Sequence, residues 1–245
     1  MLDLADFSYR LHPAGIRSAR QLRAMADSYQ GGRAFIVGNG PSLQAMDLTP
    51  LAGEHTFVLN RGYLLFDRIG GPSTFLVAVN RHVIQQWASD IEAAPVTTFL
   101  SWRAREFAPD SEALFLWSRH TPMFSTDLPR RGMWEGSTVT YVAMQVAYHL
   151  GFSEVILIGV DHSFEATGKP HTLVTSTSAD RDHFSADYFG PGFKWQLPDL
   201  PGSEVAYRMA KDAYERAGRR ILDATVGGKL TVFPKVDYRA VVRKG

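Results

Sequence analysis

Three short apolar runs each lead into an asparagine: 34–37 into Asn39, 56–59 into Asn60 and 74–79 into Asn80. An asparagine amide offers a hydrogen-bond donor and an acceptor without charge. At the ends of strands such groups suit a base, a ribose or a phosphate oxygen, although asparagine as an ordinary turn residue explains any one of them. The first sits in the string Gly38-Asn39-Gly40-Pro41-Ser42-Leu43. Glycines at a strand-to-helix turn let backbone amides approach a phosphate, and the N-terminus of a following helix favours its charge. The third glycine of the dinucleotide fingerprint is missing, and Asn60 stands where an acid would meet ribose hydroxyls. No Gly-Lys-Ser/Thr follows, which excludes a P-loop. Without a Gly-x-Ser-x-Gly elbow, Ser42 reads as a helix cap or a phosphate ligand.

A second constellation begins where the most apolar run, 155–158, enters Gly159-Val160-Asp161-His162. Asp161 suits ribose hydroxyls, a metal ion or an Asx turn. His162, His171 and His183 follow, at no spacing that resembles a metal motif, so no metal site is expected and a general base is the better use of a histidine. Of the flap carboxylates Asp180, Asp182 and Asp187, most are expected to be solvated. Tyr188, Phe189, Phe193 and Trp195 supply aromatic surface, either to cover a base or sugar or to pin their own loop. Arg119, Arg130 and Arg131 are candidates for holding a carboxylate or phosphate.

The elements that must position these groups are legible as continuous apolar runs. Besides those named, 96–100, 113–117 and 220–222 read as strands, and unbroken runs suit strands buried on both faces of a parallel sheet. Helical spacing marks 16–29, 137–150 and 203–217. In the second, Ser137 or Thr138 can cap the start and Gly151 can end the helix in the left-handed conformation. The alternation predicts an α/β fold: a Rossmann-like, doubly wound, mostly parallel sheet within a single domain over 1–245. Residues 1–32 form a helical N-terminal extension, and the polar, aromatic stretch 161–201 is a flap over the C-terminal strand ends.

Composition sets the outer bounds. Of 245 residues, 45% are hydrophobic and 21% charged, enough for a sizeable core. A net charge of +1 gives no field to draw nucleic acid, and the absence of cysteine excludes disulfides and thiolate chemistry. No apolar run approaches the ~18 residues of a membrane span. Asp3 and Asp6 stand where a signal peptide would be basic, so a cytoplasmic protein is expected. Arg239, Arg243 and Lys244 leave room for a peripheral contact with a membrane surface.

The ordered set Gly38-Asn39-Gly40-Pro41-Ser42-Leu43, Asp47, Phe57-x-x-Asn60 and Asn80 continues with Thr138, Leu150-Gly151-Phe152-x-Glu154-Val155 and Gly159-x-Asp161. This set resembles the small bacterial sialyltransferases of glycosyltransferase family 42. It also resembles the wider superfamily that includes flagellin-modifying nonulosonate transferases and archaeal hydroxymethylpterin diphosphokinases. The resemblance runs over residues 33–225. It implies inverting transfer from a CMP-activated acidic sugar to the hydroxyl of a glycan or other acceptor in bacterial glycan assembly, with no cofactor required and often with homo-oligomers. On it, Asn39 and Ser42 contact the phosphate region of the CMP-sugar, with the backbone amides from Gly38 through Gly40 to Ser42 beside it. Asn60 and Asn80 contact CMP or its sugar. Ser137 and Thr138 bind phosphate or the sugar carboxylate, Asp161, with Gly159 two residues before it, holds the ribose, and Tyr188 steadies the leaving phosphate. The family flap reads Tyr-x-Gly-His, its histidine being the base. Here Tyr188-Phe189-Gly190 is followed by Pro191, and His183 or Asp187 is expected to serve instead. Two other readings remain: a magnesium-dependent diphosphokinase of the hydroxymethylpterin type, and a nucleotide-binding module without catalysis.

Overall fold

Alternate side chains of the central strands enter two separate cores. Ala34 and Ile36 belong to one and Phe35 and Val37 to the other, all four without exposed surface. A strand buried on both faces must be apolar throughout, which is the physical reason for the continuous runs.

The computed structural model describes residues 4–164, 168–177 and 179–242. Along the chain come α1 (Leu4–Leu11), α2 (Pro13–Met25), β1 (Arg33–Val37), β2 (His55–Leu59), α3 (Phe66–Ile69) and β3 (Phe75–Ala78). Then follow α4 (Arg81–Ala93), β4 (Thr97–Ser101), β5 (Leu114–Leu116), α5 (Leu128–Arg131), α6 (Val139–His149) and β6 (Glu154–Ile158). The last are β7 (Leu173–Thr175), β8 (Lys194–Gln196), α7 (Leu200–Arg216), β9 (Arg220–Asp223) and α8 (Tyr238–Val241). Seven strands form one sheet in the order β5-β4-β3-β2-β1-β6-β9, with every adjacent pair parallel. The fold is the Rossmann-like α/β arrangement expected. The sheet is wholly rather than mostly parallel, and the antiparallel pair β7-β8 lies apart from it within 161–201.

The chain moves outward from β1 to β5 and then returns to place β6 on the other side of β1. Strand order therefore reverses between β1 and β6, and ligands of such sheets bind outside the strand C-termini at this switch point. A helix between parallel strands runs against them, so α4, α6 and α7 all start at the end of the sheet where strands finish. Helix α6 is the best buried: Tyr141, Val142, Met144 and Val146 have no exposed surface. Each such side chain contributes about 1.5–3 kcal/mol. Thr138 caps it and Gly151 follows at φ +96°, in agreement with the sequence pattern.

Two helix expectations are corrected. The helix expected over 16–29 spans Pro13–Met25. It stops early because Asp27, Tyr29 and Gly31 donate their amides to His149, Leu150 and Gly151 at the end of α6. No α-helix follows β1: the chain makes 3-10 turns over Pro41–Ala45 and Thr49–Gly53, each with a proline in its first turn. Arg243 and Lys244 lie outside the described residues.

Candidate functional site

A cavity of about 660 Å³ opens at the switch point. Its lining includes Gly38, Asn39 and Gly40 after β1, Asn60 after β2, Asn80 after β3, Gly159 and Asp161 after β6, Ser137 and Thr138 at the start of α6, and His183 from the flap. Ser42, Asp187 and Tyr188 do not line it.

The turn after β1 is fixed by contacts that only glycine permits. A Cβ on Gly38 would stand 2.2 Å from the Gly159 carbonyl oxygen, and one on Gly40 would stand 1.8 Å from Asp161 Oδ2. The Ser42 amide donates to Asp161 Oδ1 at 3.1 Å and the Ser42 hydroxyl to Oδ2 at 2.7 Å. Ser42 is thus engaged with Asp161 and is not turned to the cavity. The amides of Gly38 and Gly40 are also engaged, with the carbonyls of Ile158 and Gly159 at 2.8 and 2.9 Å. The expected cradle of backbone amides and helix N-terminus after β1 is therefore replaced by a clamp between the ends of β1 and β6. Burial pushes the Asp161 carboxyl above its ordinary pKa, against the opposing pull of the Ser42 hydrogen bonds.

Positive backbone ends reach the cavity from other helices. Asn80 caps α4, its Oδ1 accepting from His82 at 2.9 Å and Val83 at 3.4 Å. Asp199 caps α7 through the Gly202 amide at 3.0 Å. Thr138 caps α6 through Thr140 at 3.3 Å. Asn80 is thereby a cap as well as a lining residue. Asn39 and Asn60 differ. The Asn39 amino group donates to the Leu59 carbonyl at 3.2 Å, and Asn60 is held at φ +53°. The amide oxygens of both are buried without a hydrogen-bond partner among the described residues. A buried acceptor left unpaired costs about 1–3 kcal/mol.

The flap is tied down at two points, to the turn after β1 and to α4. Phe184 donates its amide to the Asn39 carbonyl at 2.8 Å, while Gln86 on α4 bonds both the amide and the carbonyl of Lys194. Directly before Phe184, His183 places its Nδ1 2.8 Å from Asp180 Oδ2. Most flap carboxylates were expected to be solvated, yet the Asp180 side chain is only 6% exposed and also accepts from the amides of Asp182 and Phe189. A carboxylate on Nδ1 fixes the imidazole and leaves Nε2 as its other working atom. The Asp187 side chain is exposed and outside the cavity; what it contributes is its carbonyl, which accepts from Arg61 at 2.8 Å. Tyr188 is 1% exposed, and its hydroxyl meets the Arg61 amide at 3.4 Å. Burial pushes its phenol far above the ordinary value, so it stays neutral.

Phe189 and Trp195 do line the cavity, stacked with centroids 5.7 Å apart. His162 Nε2 lies 3.1 Å from Glu204, and His171 Nε2 lies 3.3 Å from Asp199, which also accepts from Ser137 at 3.1 Å. Arg119 reaches the lining; Arg130 and Arg131 stay exposed on α5, outside it. Arg81, Arg103 and His120 also line the cavity and had no signal in the sequence. Among the described residues no cluster of three or more His, Asp or Glu side chains forms a metal-ligating group. No described helix is long and apolar enough to cross a membrane.

No family model and no curated protein matches the sequence. Among solved structures, the MAf glycosyltransferase from Magnetospirillum magneticum AMB-1 matches with a TM-score of 0.53 at 15% identity over 92% of this chain. This chain spans 39% of that one. The likeness is one of fold. The sialyltransferase CstII from Campylobacter jejuni, solved with CMP-3FNeuAc, matches with a TM-score of 0.47 at 13% identity over 84% of this chain and 86% of its own.

Proposed function

We propose that the chain is a glycosyltransferase that moves an acidic sugar, a sialic acid or related nonulosonate, from its CMP-activated form to an acceptor hydroxyl. The observation that carries the reading is the His183–Asp180 pair at 2.8 Å on the wall of the cavity whose floor holds Asn39 and Asn60. Their side-chain amides suit the hydroxyl and amino groups of a cytidine. Fold likeness to a glycosyltransferase agrees with this and does not itself define the substrate.

In this reading the acceptor hydroxyl gives its proton to His183 Nε2 as its oxygen attacks the anomeric carbon. The bond from that carbon to the phosphate oxygen breaks, and CMP departs with the bonding pair. Asp180 holds the imidazole and stabilises the cation formed. Ser137, Thr138 and the N-terminal end of α6 face the developing phosphate charge. Tyr188 acts as the platform for His183, and Asp161 and Ser42 shape the turn instead of touching the nucleotide. The flap aromatics Phe189 and Trp195 exclude water that would otherwise hydrolyse the CMP-sugar.

The test is release of CMP from a CMP-activated acidic sugar, in the presence of mixed glycan acceptors, by wild type and by His183→Asn. The reading expects turnover by wild type and a loss of about 10²–10⁴-fold in the variant. Nucleotide binding without turnover would favour a non-catalytic module. Magnesium-dependent consumption of ATP would favour a diphosphokinase.

A further inference from the structure

One side of the cavity wall lies away from the switch point. Beyond Asn80, the ends of β3, β4 and β5 place Arg81, Arg103, Arg119 and His120 in the lining. Adjacent strands lie about 4.8 Å apart, so the ends of β4 and β5 stand roughly 14 and 19 Å from that of β1. A phosphate held at the end of β1 is that far from the ends of β4 and β5, which leaves these basic groups placed for a second ligand.

The basic groups are built into the wall at their roots. The Arg119 amide donates to the Met133 carbonyl at 2.7 Å, and its guanidinium lies 5.6 Å from the Trp117 ring centroid. Arg103 Nη2 meets His120 Nε2 at 3.0 Å, which joins the ends of β4 and β5. Arg81 pairs with Glu106 at the rim. Four acids share the lining: Glu135, which accepts from the Ser118 hydroxyl at 2.6 Å, Asp161, Asp182 and Asp199. Neither Arg103 nor Arg119 forms an ion pair among the described residues. The flap that carries His183 runs from the Asn39 carbonyl to Gln86 on α4, so it bridges the floor of the cavity and this basic side.

We propose that the basic wall is the acceptor subsite and that the acceptor is itself acidic, a sugar with a carboxylate or phosphate near its attacking hydroxyl. The inference rests on the CMP-sugar reading for the other side of the cavity. Planar guanidinium groups take carboxylates and phosphates in two-point contacts, which fixes orientation as well as charge. Because these side chains are exposed, their effect is selectivity among acceptors, sensitive to salt, more than tight binding.

The test is calorimetric titration of the full chain, with and without saturating CMP, by glucose, glucuronate and glucose 6-phosphate at constant ionic strength. Wild type is expected to bind both acidic sugars about tenfold more tightly than glucose. In Arg103→Glu/Arg119→Glu this ratio collapses to about one, with Arg103→Gln/Arg119→Gln in between. Equal affinity for the neutral and acidic sugars in wild type would overturn the proposal. So would an acidic preference that survives the double substitution while CMP affinity falls, because the arginines would then hold the nucleotide. Failure of wild type to bind CMP would instead defeat the CMP-sugar reading, and the titrations without CMP would still report on the arginines.

Discussion

The imidazole of His183 lies flat on the phenol ring of Tyr188, with centroids 4.3 Å apart and planes within 7° of parallel. Tyr188 is in turn held from below by Arg61, whose guanidinium donates to the carbonyls of Asp187 and Tyr188 and lies 4.3 Å from the centroid of Trp87. Arg61 directly follows Asn60. One chain segment therefore supplies a floor residue of the cavity and the anchor of the flap that covers it.

The dyad makes a sharp contrast among two carboxylates and a histidine. Substituting His183 by Asn removes the proton acceptor, and Asp180→Asn removes the charge that fixes it; both are expected to lower turnover by about 10²-fold or more. Asp187→Ala should stay within about twofold, since only its backbone carbonyl is used. Steady-state rates of CMP release check all three, with CMP affinity as the control for folding.

Loss of the anchor should loosen the flap before the sheet. Arg61→Ala leaves two carbonyls without their charged donor and removes a cation–π contact, at a cost of about 3 kcal/mol. The amides of Phe184, Tyr188 and Phe189 should exchange faster while those of β1 and β6 hold their protection. Hydrogen exchange resolves the two groups directly.

The sheet was largely legible because a strand buried on both faces has to be apolar along its length. The seven runs fall within a residue or two of the observed strands. Helix α6 and its caps were legible for the same reason. What escaped depends on contacts between distant segments. The 16–29 pattern is helical by spacing, but its second half bonds to the end of α6. The turn after β1 looks like a phosphate cradle until Asp161, 119 positions on, is seen to occupy Ser42. Asp180 lies three positions before His183, a spacing that hints at pairing. Its burial, though, comes from the Phe189 amide and the folded flap, which no local pattern records. Arg61, Arg81 and Arg103 carry no local signal, and only the strand order brings the last two to one cavity.

The clamp at the switch point gives a stability prediction with an internal control. Gly40→Ala would drive a methyl into Asp161 Oδ2 and break its bonds to Ser42, costing about 2–4 kcal/mol. Ser42→Ala removes only the hydroxyl half of the clamp and should cost about 1.5–3 kcal/mol. A Cβ on Gly53 meets nothing within 4 Å, so Gly53→Ala should be neutral or slightly stabilising. Chemical denaturation of the three variants ranks them.

Asp199 ties stability to pH. The Gly202 amide, the Ser137 hydroxyl and His171 hold its carboxyl below the ordinary value of 3.8. The folded value is the lower one, so the stabilisation is complete above 3.8 and is lost as pH falls through the folded value. Asp199→Ala should cost about 1 kcal/mol near neutral pH through loss of the α7 cap. The gap to wild type should narrow on acidification. Asp161 works in the opposite sense. Its raised value favours the protonated form in the folded state, a contribution present below 3.8 and lost as pH rises through the folded value. Denaturation curves of wild type and Asp199→Ala across the acid range read the first effect.

The central claim is that the cavity between β1 and β6 holds a cytidine nucleotide against the side chains of Asn39 and Asn60. Calorimetric titration with CMP, compared with ATP and NAD, each with and without magnesium, tests it most directly. The account predicts metal-independent CMP binding that weakens about tenfold in Asn60→Ala, as loss of one buried hydrogen bond requires. Magnesium-dependent ATP binding without preference for cytidine, or CMP affinity unchanged in Asn60→Ala, would contradict it.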